Sequence, residues 1–565
     1  MPGPISSLGR VKRALLATAA AAALAAGAGA GPAAAAPLPN VVADDLAPAR
    51  ATKLVRKVRL PDGDGVRIGA PGSIARELPP HPWSLSLDLR PAKGSTVVLD
   101  LGTGSLVFER DADGVLVVRA PGLAATELPP QGYAGRDWRH VEIAGGSEPL
   151  VAIDGQPLAG ELTPGASLRI RVAEGSTQAA GLVATRRDDR RAALLHRLAE
   201  LHARTPLGRF PVGIGDSDSL LRFTRDWTDG FWPGMLWLAA DMTAPAAPFA
   251  DWARAATDRH RGRERDAIHD QGFRYLLSSA AAHDRECTGR ARRSSACKRL
   301  RGSAITAANT LLELAAGNEA VGTIPTVSRA GLCRRCASPD ESETIIDSLM
   351  NLGLLGWAWR ERDDARYREV ALRHARAVER LLVRPDGSTA QSAIASRVDG
   401  HVVSVGTRQG YSDTSTWSRG QGWALYGFAD TGARFRDRGL LAAAERVAGY
   451  VAGHLPASGI PPYDYDAPAP APTDTSAGTI TAAGALRLAA ACEALPRACS
   501  DGPRWHRLGL RMLSASLGRV TRLPPIGMLG DQVYSLGGGS TWDDRGEYAF
   551  GLHYAFDAIR RERAG

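Results

Sequence analysis

Apolar and polar residues alternate along the first third of the chain. The segment from Trp83 to Leu89 reads Trp-Ser-Leu-Ser-Leu-Asp-Leu, which is the period of a strand with one buried face. Between turns rich in Gly, Pro and Asp, the pattern predicts further short strands at Val97 to Leu101, Val115 to Val118, Val141 to Ile143, Val151 to Ile153 and Leu168 to Val172. Short strands at this spacing predict an all-β sandwich domain over residues 52–185.

The period changes to that of helices from about Arg190. Apolar residues then recur on one helical face, first at Leu194, Leu195, Leu198 and Leu201. Further helices are predicted at 268–282, 303–316, 344–360, 365–383, 418–434, 438–454, 477–493, 502–518 and 546–560. The loops at 226–233 and 461–468 are rich in Trp, Tyr, Asp, Gly and Pro. Helix pairs closed into a ring over residues 190–562 would gather such loops into a cleft.

The N-terminus has the three parts of a secretory signal. A basic stretch from Arg10 to Arg13 precedes an Ala/Leu-rich run to about Ala28, and small residues precede Pro37. We expect a signal peptide over 1–36, a linker over 37–51 and a secreted, extracellular protein. The alternative is an alanine-rich leader with no targeting role. No later segment has about 20 apolar residues in a row, so no membrane association is expected.

Length, composition and charge limit the classes of protein to which this chain can belong. Length of 565 residues allows about two to four domains. Hydrophobic residues at 44% and charged residues at 23% argue against overall disorder. Lys and Arg number 69 against 60 Asp and Glu, and we expect this small excess to be spread along the chain rather than gathered in one basic block. A small positive charge of this kind does not indicate a nucleic-acid partner, and it is compatible with anionic small substrates.

Six cysteines in an exported chain predict up to three disulfides. The pairs closest in sequence are Cys287/Cys297, Cys333/Cys336 and Cys492/Cys499. Cys333 and Cys336 also have the spacing of a zinc half-site, but a zinc site needs a second pair of ligands. Disulfides are therefore favoured over zinc.

Two aspartates, Asp270 and Asp347, stand at or near predicted helix starts in apolar surroundings. Capping of the helix ends is the alternative to chemistry, because Asp is a preferred N-cap residue. Indole side chains that could stack on sugar rings occur at Trp227, Trp232, Trp237, Trp417 and Trp423. A pair of carboxyl groups beside aromatic surfaces is typical of glycosidic chemistry.

Six motifs follow one another in the helical region. In chain order they are Trp227-Thr-Asp-Gly-Phe-Trp-Pro-Gly-Met-Leu-Trp237, His269-Asp-Gln-Gly-Phe273, Ile345-Ile-Asp-Ser-Leu-Met-Asn351, Asp386-Gly-Ser-Thr389, Gln409-Gly-Tyr-Ser-Asp-Thr-Ser-Thr-Trp-Ser-Arg-Gly-Gln-Gly-Trp423 and Pro461-Pro-Tyr-Asp-Tyr-Asp-Ala-Pro468. The series resembles the unsaturated glucuronyl hydrolases, glycoside hydrolase family 88, from about Phe210 to Ala555. The resemblance implies an all-α (α/α)6 barrel. The N-terminal region is more weakly similar to laminin-G and concanavalin-type jelly rolls, through the stretches 137–143 and 151–155.

The resemblance also implies a reaction. Members of the family remove a 4,5-unsaturated uronic acid from the non-reducing end of oligosaccharides made by lyases, by hydrating the vinyl ether. Asp347 matches the general acid and base, and Asp270 matches the supporting aspartate. Residues expected to contact the unsaturated uronyl oligosaccharide are Gln409, Thr407, Arg419, Trp423, Trp232 and Trp417. No metal or cofactor is called for, and the oligomeric state stays open.

Some positions depart from the family. Gln391 stands where a His is usual, Val405 where a Gly is common, and the segment between Asp270 and Asp347 is longer than usual. Two alternatives therefore stay open: a family 105-like unsaturated rhamnogalacturonyl hydrolase, and a carbohydrate-binding protein without turnover.

Four further polar residues lie in or near the motifs. His269 is expected to be a structural hydrogen-bonding residue, and His374 a packed helix residue. Asp464 and Asp466 lie in the aromatic loop, where a turn-forming role and a substrate contact are equally expected.

Overall fold

We analysed a computed structural model of the chain. It describes residues 42–44 and 55–562, apart from gaps at 61–62, 72, 78–82, 102–104, 120–124, 129–138, 145–149, 154–155, 159–166, 187–189, 216–220, 244–247, 329–330, 332, 334, 498, 500, 520–528 and 536–544. All of these residues belong to one compact unit, Leu38–Gly565. The predicted signal peptide and the Asp-Gly turn at 154–155 lie outside the described residues.

The N-terminal third is built from β-strands. They are β1 (Val42–Asp44), β2 (Val55–Leu60), β3 (Gly63–Gly69), β4 (Ser73–Glu77), β5 (Trp83–Pro91), β6 (Ser95–Asp100), β7 (Ser105–Arg110), β8 (Leu116–Arg119), β9 (Thr126–Leu128), β10 (Arg139–Ala144), β11 (Leu150–Ile153), β12 (Gln156–Leu158), β13 (Ser167–Glu174) and β14 (Ser176–Arg186). One antiparallel sheet has the order β12-β11-β10-β5-β14-β3-β2, with β1 also paired to β14, and the other has the order β4-β13-β6-β7-β8-β9. Strand β1 lies inside the predicted linker and pairs with β14.

The two sheets share one apolar core. Leu87 and Leu89 of the first sheet and Val97, Leu99 and Phe108 of the second are fully buried in the same cluster. In β7 and β8 buried positions alternate with more exposed ones, as the period of two predicts. A β-rich N-terminal region is therefore confirmed, and its assignment as a jelly-roll-like sandwich stays a prediction.

The rest of the chain is mainly helical. Its α-helices are α1 (Arg190–Arg204), α2 (Phe231–Met242), α3 (Phe249–His260), α4 (Ala281–Glu286), α5 (Ser295–Ala315), α6 (Leu352–Arg362), α7 (Ala365–Leu382), α8 (Ser418–Phe435), α9 (Arg438–His454), α10 (Thr475–Ala494), α11 (Gly502–Leu517) and α12 (Ala549–Glu562). Shorter turns are a π-helical segment (Gly272–Ala280), which continues into α4, and two 3₁₀ turns (Gly289–Arg293 and Ile346–Asn351). The predicted helices from 268 onward are all present.

The helices form a closed ring. Inner contacts run from α2 to the π-helical segment, then to α6, α8, α10 and α12, and back to α2. A second helix packs behind each member: α3 behind α2, α5 behind the π-helical segment, α7 behind α6, α9 behind α8, α11 behind α10 and α1 behind α12. Six inner helices, each backed by an outer helix, form the helical barrel that the resemblance implies.

Three features of this region were not predicted from the sequence, and the first is helix α3 (Phe249–His260). The stretch 226–233 is not a loop throughout, because α2 begins at Phe231 and Pro233 is tolerated in a first helical turn, whose N–H groups lack partners anyway. Strands also line one end of the ring. They are β15 (Pro211–Gly215), β16 (Arg222–Phe223), β17 (Glu341–Ile345), β18 (Ser392–Ser396), β19 (Val402–Gly406), β20 (Gln532–Val533) and β21 (Arg545–Tyr548). The sheet β17-β18-β19 leads directly into the turn that carries Asp347.

All three predicted disulfides are present: Cys287–Cys297, Cys333–Cys336 and Cys492–Cys499. The cysteine thiolates are therefore not available to zinc. Within the described part of the chain, no helix is both long enough and apolar enough to cross a bilayer.

Candidate active site

The two aspartates lie on neighbouring segments of the ring. Asp270 stands two residues before the π-helical segment, and Asp347 is the second residue of the 3₁₀ turn that follows β17. The charge of Asp270 acts on the Asp347 carboxyl group, so the structure brings the two predicted carboxyls into one site. Asp347 is 9% exposed, and the Asp270 side chain is 19% exposed.

Asn351 connects the two segments. Its Oδ1 accepts hydrogen bonds from the backbone N–H groups of Gly272 (2.7 Å) and Phe273 (3.1 Å). The N-cap positions of the two turns, Gln271 and Ile345, make no side-chain cap. Asn351 therefore takes the backbone donors that Asp270 would satisfy in a capping role, and the capping alternative is wrong for these turns.

The approach of the two segments requires a glycine. A Cβ atom at Gly272 would lie 2.3 Å from the Asn351 Cα atom and 2.7 Å from its Oδ1 atom. Any larger residue would push the segment after Asp270 away from the segment that carries Asp347. The His-Asp-Gln-Gly-Phe motif thus combines a carboxyl group with the glycine that permits its placement.

A buried histidine supports the Asp347 turn. The Ile324 N–H donates to His374 Nδ1 at 2.8 Å, so the ring proton is on Nε2, 2.9 Å from Ser348 Oγ. Ser348 Oγ donates in turn to the Ile345 carbonyl at 2.5 Å. Burial lowers the pKa of His374 to about 3, which keeps the ring neutral. His374 is a packed helix residue, as predicted, and it fixes the turn around Asp347.

Both aspartates are poised to hold a proton near neutral pH. Burial raises the pKa of Asp347 to about 7; the Arg419 charge opposes this rise and the Asp270 charge adds to it. Burial likewise raises the pKa of Asp270 to about 7, and the charge of Asp226 adds to the rise. Asp347 Oδ2 is buried and has no hydrogen-bond partner among the described residues. A buried acid whose proton is held near pH 7 is suited to general acid catalysis.

Gln391 organises the loop beside the aspartates. Its Oε1 accepts hydrogen bonds from Thr407 Oγ1 (2.6 Å), Arg408 N (2.6 Å) and Gln409 N (2.8 Å). Its Nε2 donates to Gln409 Oε1 at 2.8 Å, and Gln409 Nε2 donates to the Tyr534 carbonyl at 2.9 Å. Thr407 and Gln409 are partly exposed, so this network holds two predicted contact residues at the surface of the site.

Arg408 is a cation of the site that the sequence argument missed. Its Nε donates to Glu343 Oε1 at 2.8 Å, and Glu343 is fully buried in β17. The Arg408 side chain is 32% exposed, and its charge lowers the pKa values of both His269 and Asp270. No local pattern indicated this pairing, because β17 reads Glu-Ser-Glu-Thr-Ile, a polar stretch that gives no sign of the burial of Glu343.

Arg419 does not lie at the surface of the site. It is 1% exposed, and its guanidinium bonds Asp474 Oδ2 at 3.3 Å and the carbonyls of Val533 and Tyr534. The guanidinium also lies 4.5 Å from the centroid of the Trp417 ring. Protein groups therefore surround Arg419, which acts on Asp347 through its charge.

Four of the five tryptophans named as possible stacking surfaces are in the core, including Trp237 at 2% exposure. Trp232, Trp417 and Trp423 are 3%, 2% and 0% exposed, so none of them presents an indole face to solvent. Trp227 is partly exposed, and its Nε1 donates to the Tyr534 hydroxyl at 3.1 Å. The structure thus offers Trp227 and Tyr534 as the aromatic surface of the site. Trp227 belongs to the first motif of the resemblance, whereas Tyr534 lies outside all six motifs.

Of the remaining polar residues, Asp464 and Asp466 have structural roles, and the structural role of His269 stays a prediction. His269 Nε2 is 3.4 Å from Asp270 Oδ1, and burial lowers the pKa of His269 to about 3. Asp464 is fully buried and accepts hydrogen bonds from Tyr411 N and Ser415 Oγ. Asp466 accepts from Thr416 N at 2.7 Å. Both aspartates shape the aromatic loop.

Known proteins resemble this chain over its helical region. No protein-family model matches it. An unsaturated glucuronyl hydrolase from Bacillus sp. (strain GL1) is 33% identical over 294 residues, which cover 50% of this chain and 72% of that protein. An unsaturated chondroitin disaccharide hydrolase from Streptococcus pneumoniae (strain ATCC BAA-255 / R6) is 30% identical over 243 residues, covering 42% of this chain and 57% of that protein.

The likeness extends to three dimensions. The crystal structure of the unsaturated glucuronyl hydrolase from Bacillus sp. GL1 matches with a TM-score of 0.58 at 28% identity, covering 66% of this chain and 96% of that one. The shared part is the helical barrel. The chain therefore belongs to the unsaturated glucuronyl hydrolases, glycoside hydrolase family 88, and is a glycosidase.

Proposed function

We propose that this protein removes 4,5-unsaturated uronic acids from the non-reducing end of oligosaccharides by hydrating the vinyl ether. The observation that carries the proposal is the pair of aspartates on adjacent segments, each with its pKa raised to about 7. Protonation of an enol ether carbon needs a buried acid that still holds its proton near neutral pH. Family membership and the named relatives support the same activity.

The steps follow from the chemistry of the double bond. Asp347 gives its proton to C4, and positive charge develops at C5, shared with the ring oxygen. Water adds its oxygen to C5 and returns a proton to Asp347. The hemiketal at C5 then opens to a ketone, and C1 becomes a hemiacetal that releases the remaining saccharide as an alcohol. Asp270 supports the site through its charge and through hydrogen bonds to the sugar.

The exposed residues of the site suggest how the uronate is recognised. Arg408 supplies the solvent-accessible positive charge beside Asp270, and guanidinium groups suit carboxylates. Thr407 and Gln409 lie on the same loop and offer a hydroxyl and an amide to the sugar. Buried Arg419 and the buried Trp232, Trp417 and Trp423 shape the site from behind.

We also propose that the mature chain is extracellular and that the β-rich region folds as a sandwich. The N-terminal basic, apolar and small-residue pattern supports export. Three disulfides fit an oxidising compartment.

The first test is incubation of the mature chain with unsaturated disaccharides from chondroitin, heparin and pectin, beside Asp347→Asn. We expect the ultraviolet absorbance of the conjugated C4=C5 bond to decay with the wild type only. A preference for the pectin product would favour a rhamnogalacturonyl substrate. Binding of the sugars without decay on any of them would refute the proposed hydration in favour of a carbohydrate-binding protein.

A further inference from the structure

A dense group of cations lies on the helical region, apart from the aspartate site. Half of the residues from 290 to 301 are Arg or Lys, and no acidic residue occurs between Cys287 and Leu312. The cations are Arg290, Arg292, Arg293, Lys298, Arg299 and Arg301. The expectation that positive charge is spread along the chain is therefore wrong here. We call this group the basic surface.

A disulfide bond and a helix N-cap fix the backbone that carries the basic surface. The Cys287–Cys297 bond closes the loop that contains the 3₁₀ turn Gly289–Arg293. Ser294 Oγ accepts a hydrogen bond from the Cys297 N–H and so caps α5. The 21-residue helix α5 has no acidic residue in its first turn, so the partial positive charge of its N-terminus adds to that of the side chains.

The Glu361 carboxylate forms ion pairs with both the 3₁₀ turn Gly289–Arg293 and helix α5. Arg292 Nη2 donates to Glu361 at 2.9 Å, and Arg301 Nε donates to the same carboxylate at 3.1 Å. The loop cations and the helix cations therefore lie on one continuous face. Glu361 is the only carboxylate that forms ion pairs with the basic surface within the described part of the chain.

The cations are accessible. Five of the six are exposed, and only Arg301 is half-buried. Arg290, Arg293, Lys298 and Arg299 have no ion-pair partner among the described residues. So many exposed like charges repel one another unless an anion lies between them, and Arg side chains bind carboxylate and sulfate groups through paired N–H donors.

The basic surface is remote from the aspartates. Asp270 precedes the start of the helical run Gly272–Glu286, and Cys287 follows its end. A helical run of this length separates its two ends by on the order of 20 Å. The basic surface therefore lies at the opposite end of the barrel and is not an extension of the catalytic cleft.

We propose that the basic surface binds acidic polysaccharide chains and so retains the enzyme on the material whose fragments it hydrolyses. The choice of a polysaccharide over other polyanions rests on the proposed function, because the substrates of that reaction derive from polyuronates or sulfated glycans. A chain with repeated carboxylate or sulfate groups matches several exposed guanidinium groups at once.

Retention on immobilised chondroitin sulfate, measured over a series of salt concentrations, tests the proposal. The probe is the full chain carrying Asp347→Asn, with and without the added changes Arg290→Ser, Arg293→Ser, Lys298→Ser and Arg299→Ser. We expect these four changes to weaken binding by roughly ten-fold or more at low salt, where exposed charges are least screened. In the background with Asp347 intact, the four changes should leave kcat/KM for unsaturated disaccharides unaltered.

A matched control variant distinguishes binding by the basic surface from an effect of net charge alone. Arg259, Arg368, Arg438 and Arg497 are also exposed but are scattered over the helical region, and changing all four to Ser removes the same charge. Equal weakening by both sets, or no weakening by the first, would overturn the proposal. So would tighter binding of the unaltered chain to a DNA duplex or to phosphatidylserine vesicles than to chondroitin sulfate. Failure of the proposed hydration would appear only in the disaccharide assay, since retention is measured with Asp347→Asn.

Discussion

Asp347 and Asp557 are both buried in the helical barrel, at 9% and 4% exposure, yet their pKa values move in opposite directions. Burial raises the pKa of both carboxyl groups. At Asp557 the charges of Arg561 and Arg560 outweigh burial and hold the pKa below its usual range. At Asp347 the charge of Arg419 opposes burial without overcoming it, and the pKa rises to about 7.

The difference lies in direct contact. Arg561 Nε is 2.8 Å from Asp557 Oδ2 and Arg560 Nη2 is 3.1 Å from its Oδ1, so Asp557 is a permanent anion of the fold. The guanidinium of Arg419 instead bonds Asp474 and two carbonyl groups. The positive charge of Arg419 therefore acts on the Asp347 carboxyl group, but the Nη1 and Nη2 groups of Arg419 donate to other partners. Burial without a bonded cation therefore accounts for the raised pKa of Asp347, and bonded cations account for the lowered pKa of Asp557.

Replacement of the proton donor is expected to have the largest effect. Asp347→Asn keeps the size of the side chain but removes the proton given to C4, so turnover of an unsaturated disaccharide should fall by roughly 10²–10⁴-fold. The measurement is the rate of loss of the C4=C5 absorbance, with circular dichroism to confirm folding. If the variant retained most of the turnover, Asp347 would not be the proton donor, and the contrast between Asp347 and Asp557 would have no bearing on catalysis.

The matched change at the structural ion should affect stability instead. Asp557→Asn leaves Arg560 and Arg561 without their buried anion, and breaking such a pair costs about 3–5 kcal/mol. Denaturant unfolding should show this loss of unfolding free energy, while kcat of the remaining folded enzyme stays near that of the wild type. A large fall in kcat with unchanged stability would contradict the assignment of Asp557 as a structural ion.

The raised pKa of Asp347 has its own consequence for stability. Between about pH 4 and pH 7 the unfolded chain releases this proton while the folded chain keeps it, so the residue destabilises the fold increasingly as pH rises. Asp347→Asn should therefore unfold with a higher free energy than the wild type by a few kcal/mol at about pH 8. The difference should vanish below about pH 3, where the carboxyl group is protonated in both states. Unfolding curves at the two pH values check this, and an equal difference at both would refute it.

Much of the fold could be predicted from residue periodicity. Helices α7 to α12 begin and end close to the predicted bounds, because each shows a regular apolar face or an N-cap such as Asp364 or Asp437. Helix α6 begins later than predicted, because the 3₁₀ turn Ile346–Asn351 precedes it. Helix α2 was missed since Pro233 and Gly234 suggest a loop. Strands β17 and β18 were missed because they are short and almost entirely buried, which removes the alternation that marks a strand. Strand β19 is equally short and is mostly exposed.

The site could be predicted in part. Asp270 and Asp347 were found because each stands in a motif, but no local pattern shows that Asn351 bonds the segment after Asp270. The burial of Trp423 and Arg419 was equally hidden, since aromatic and cationic residues occur both in cores and in sugar-binding sites. Long-range packing decides between those two outcomes, and a single sequence does not contain it.

Asn351 provides a smaller and sharper test of the aspartate pair. Asn351→Asp keeps an oxygen that accepts from the N–H groups of Gly272 and Phe273, and it adds a negative charge beside Asp270 and Asp347. The added charge should raise the pKa of the proton donor, so the decline of kcat/KM at alkaline pH should begin at a higher pH. A pH profile of kcat/KM measures the shift. Asn351→Ala, which removes the acceptor without adding charge, is the control and should lower activity without moving the profile upward.

The smallest expected effect concerns the loop beside the pair. Gln391→Leu removes the oxygen that accepts from Thr407, Arg408 and Gln409, so the loop should lose its fixed position while both aspartates stay in place. KM for the disaccharide should then rise by roughly ten-fold, as expected if Thr407 and Gln409 each lose one hydrogen bond to the sugar, at about 0.5–1.5 kcal/mol per bond, with kcat within a few-fold of the wild type. Steady-state kinetics separate the two constants. A fall in kcat at unchanged KM would instead place Gln391 among the groups that support the proton transfer, and the division between a loop that binds and a buried pair that reacts would have to be abandoned.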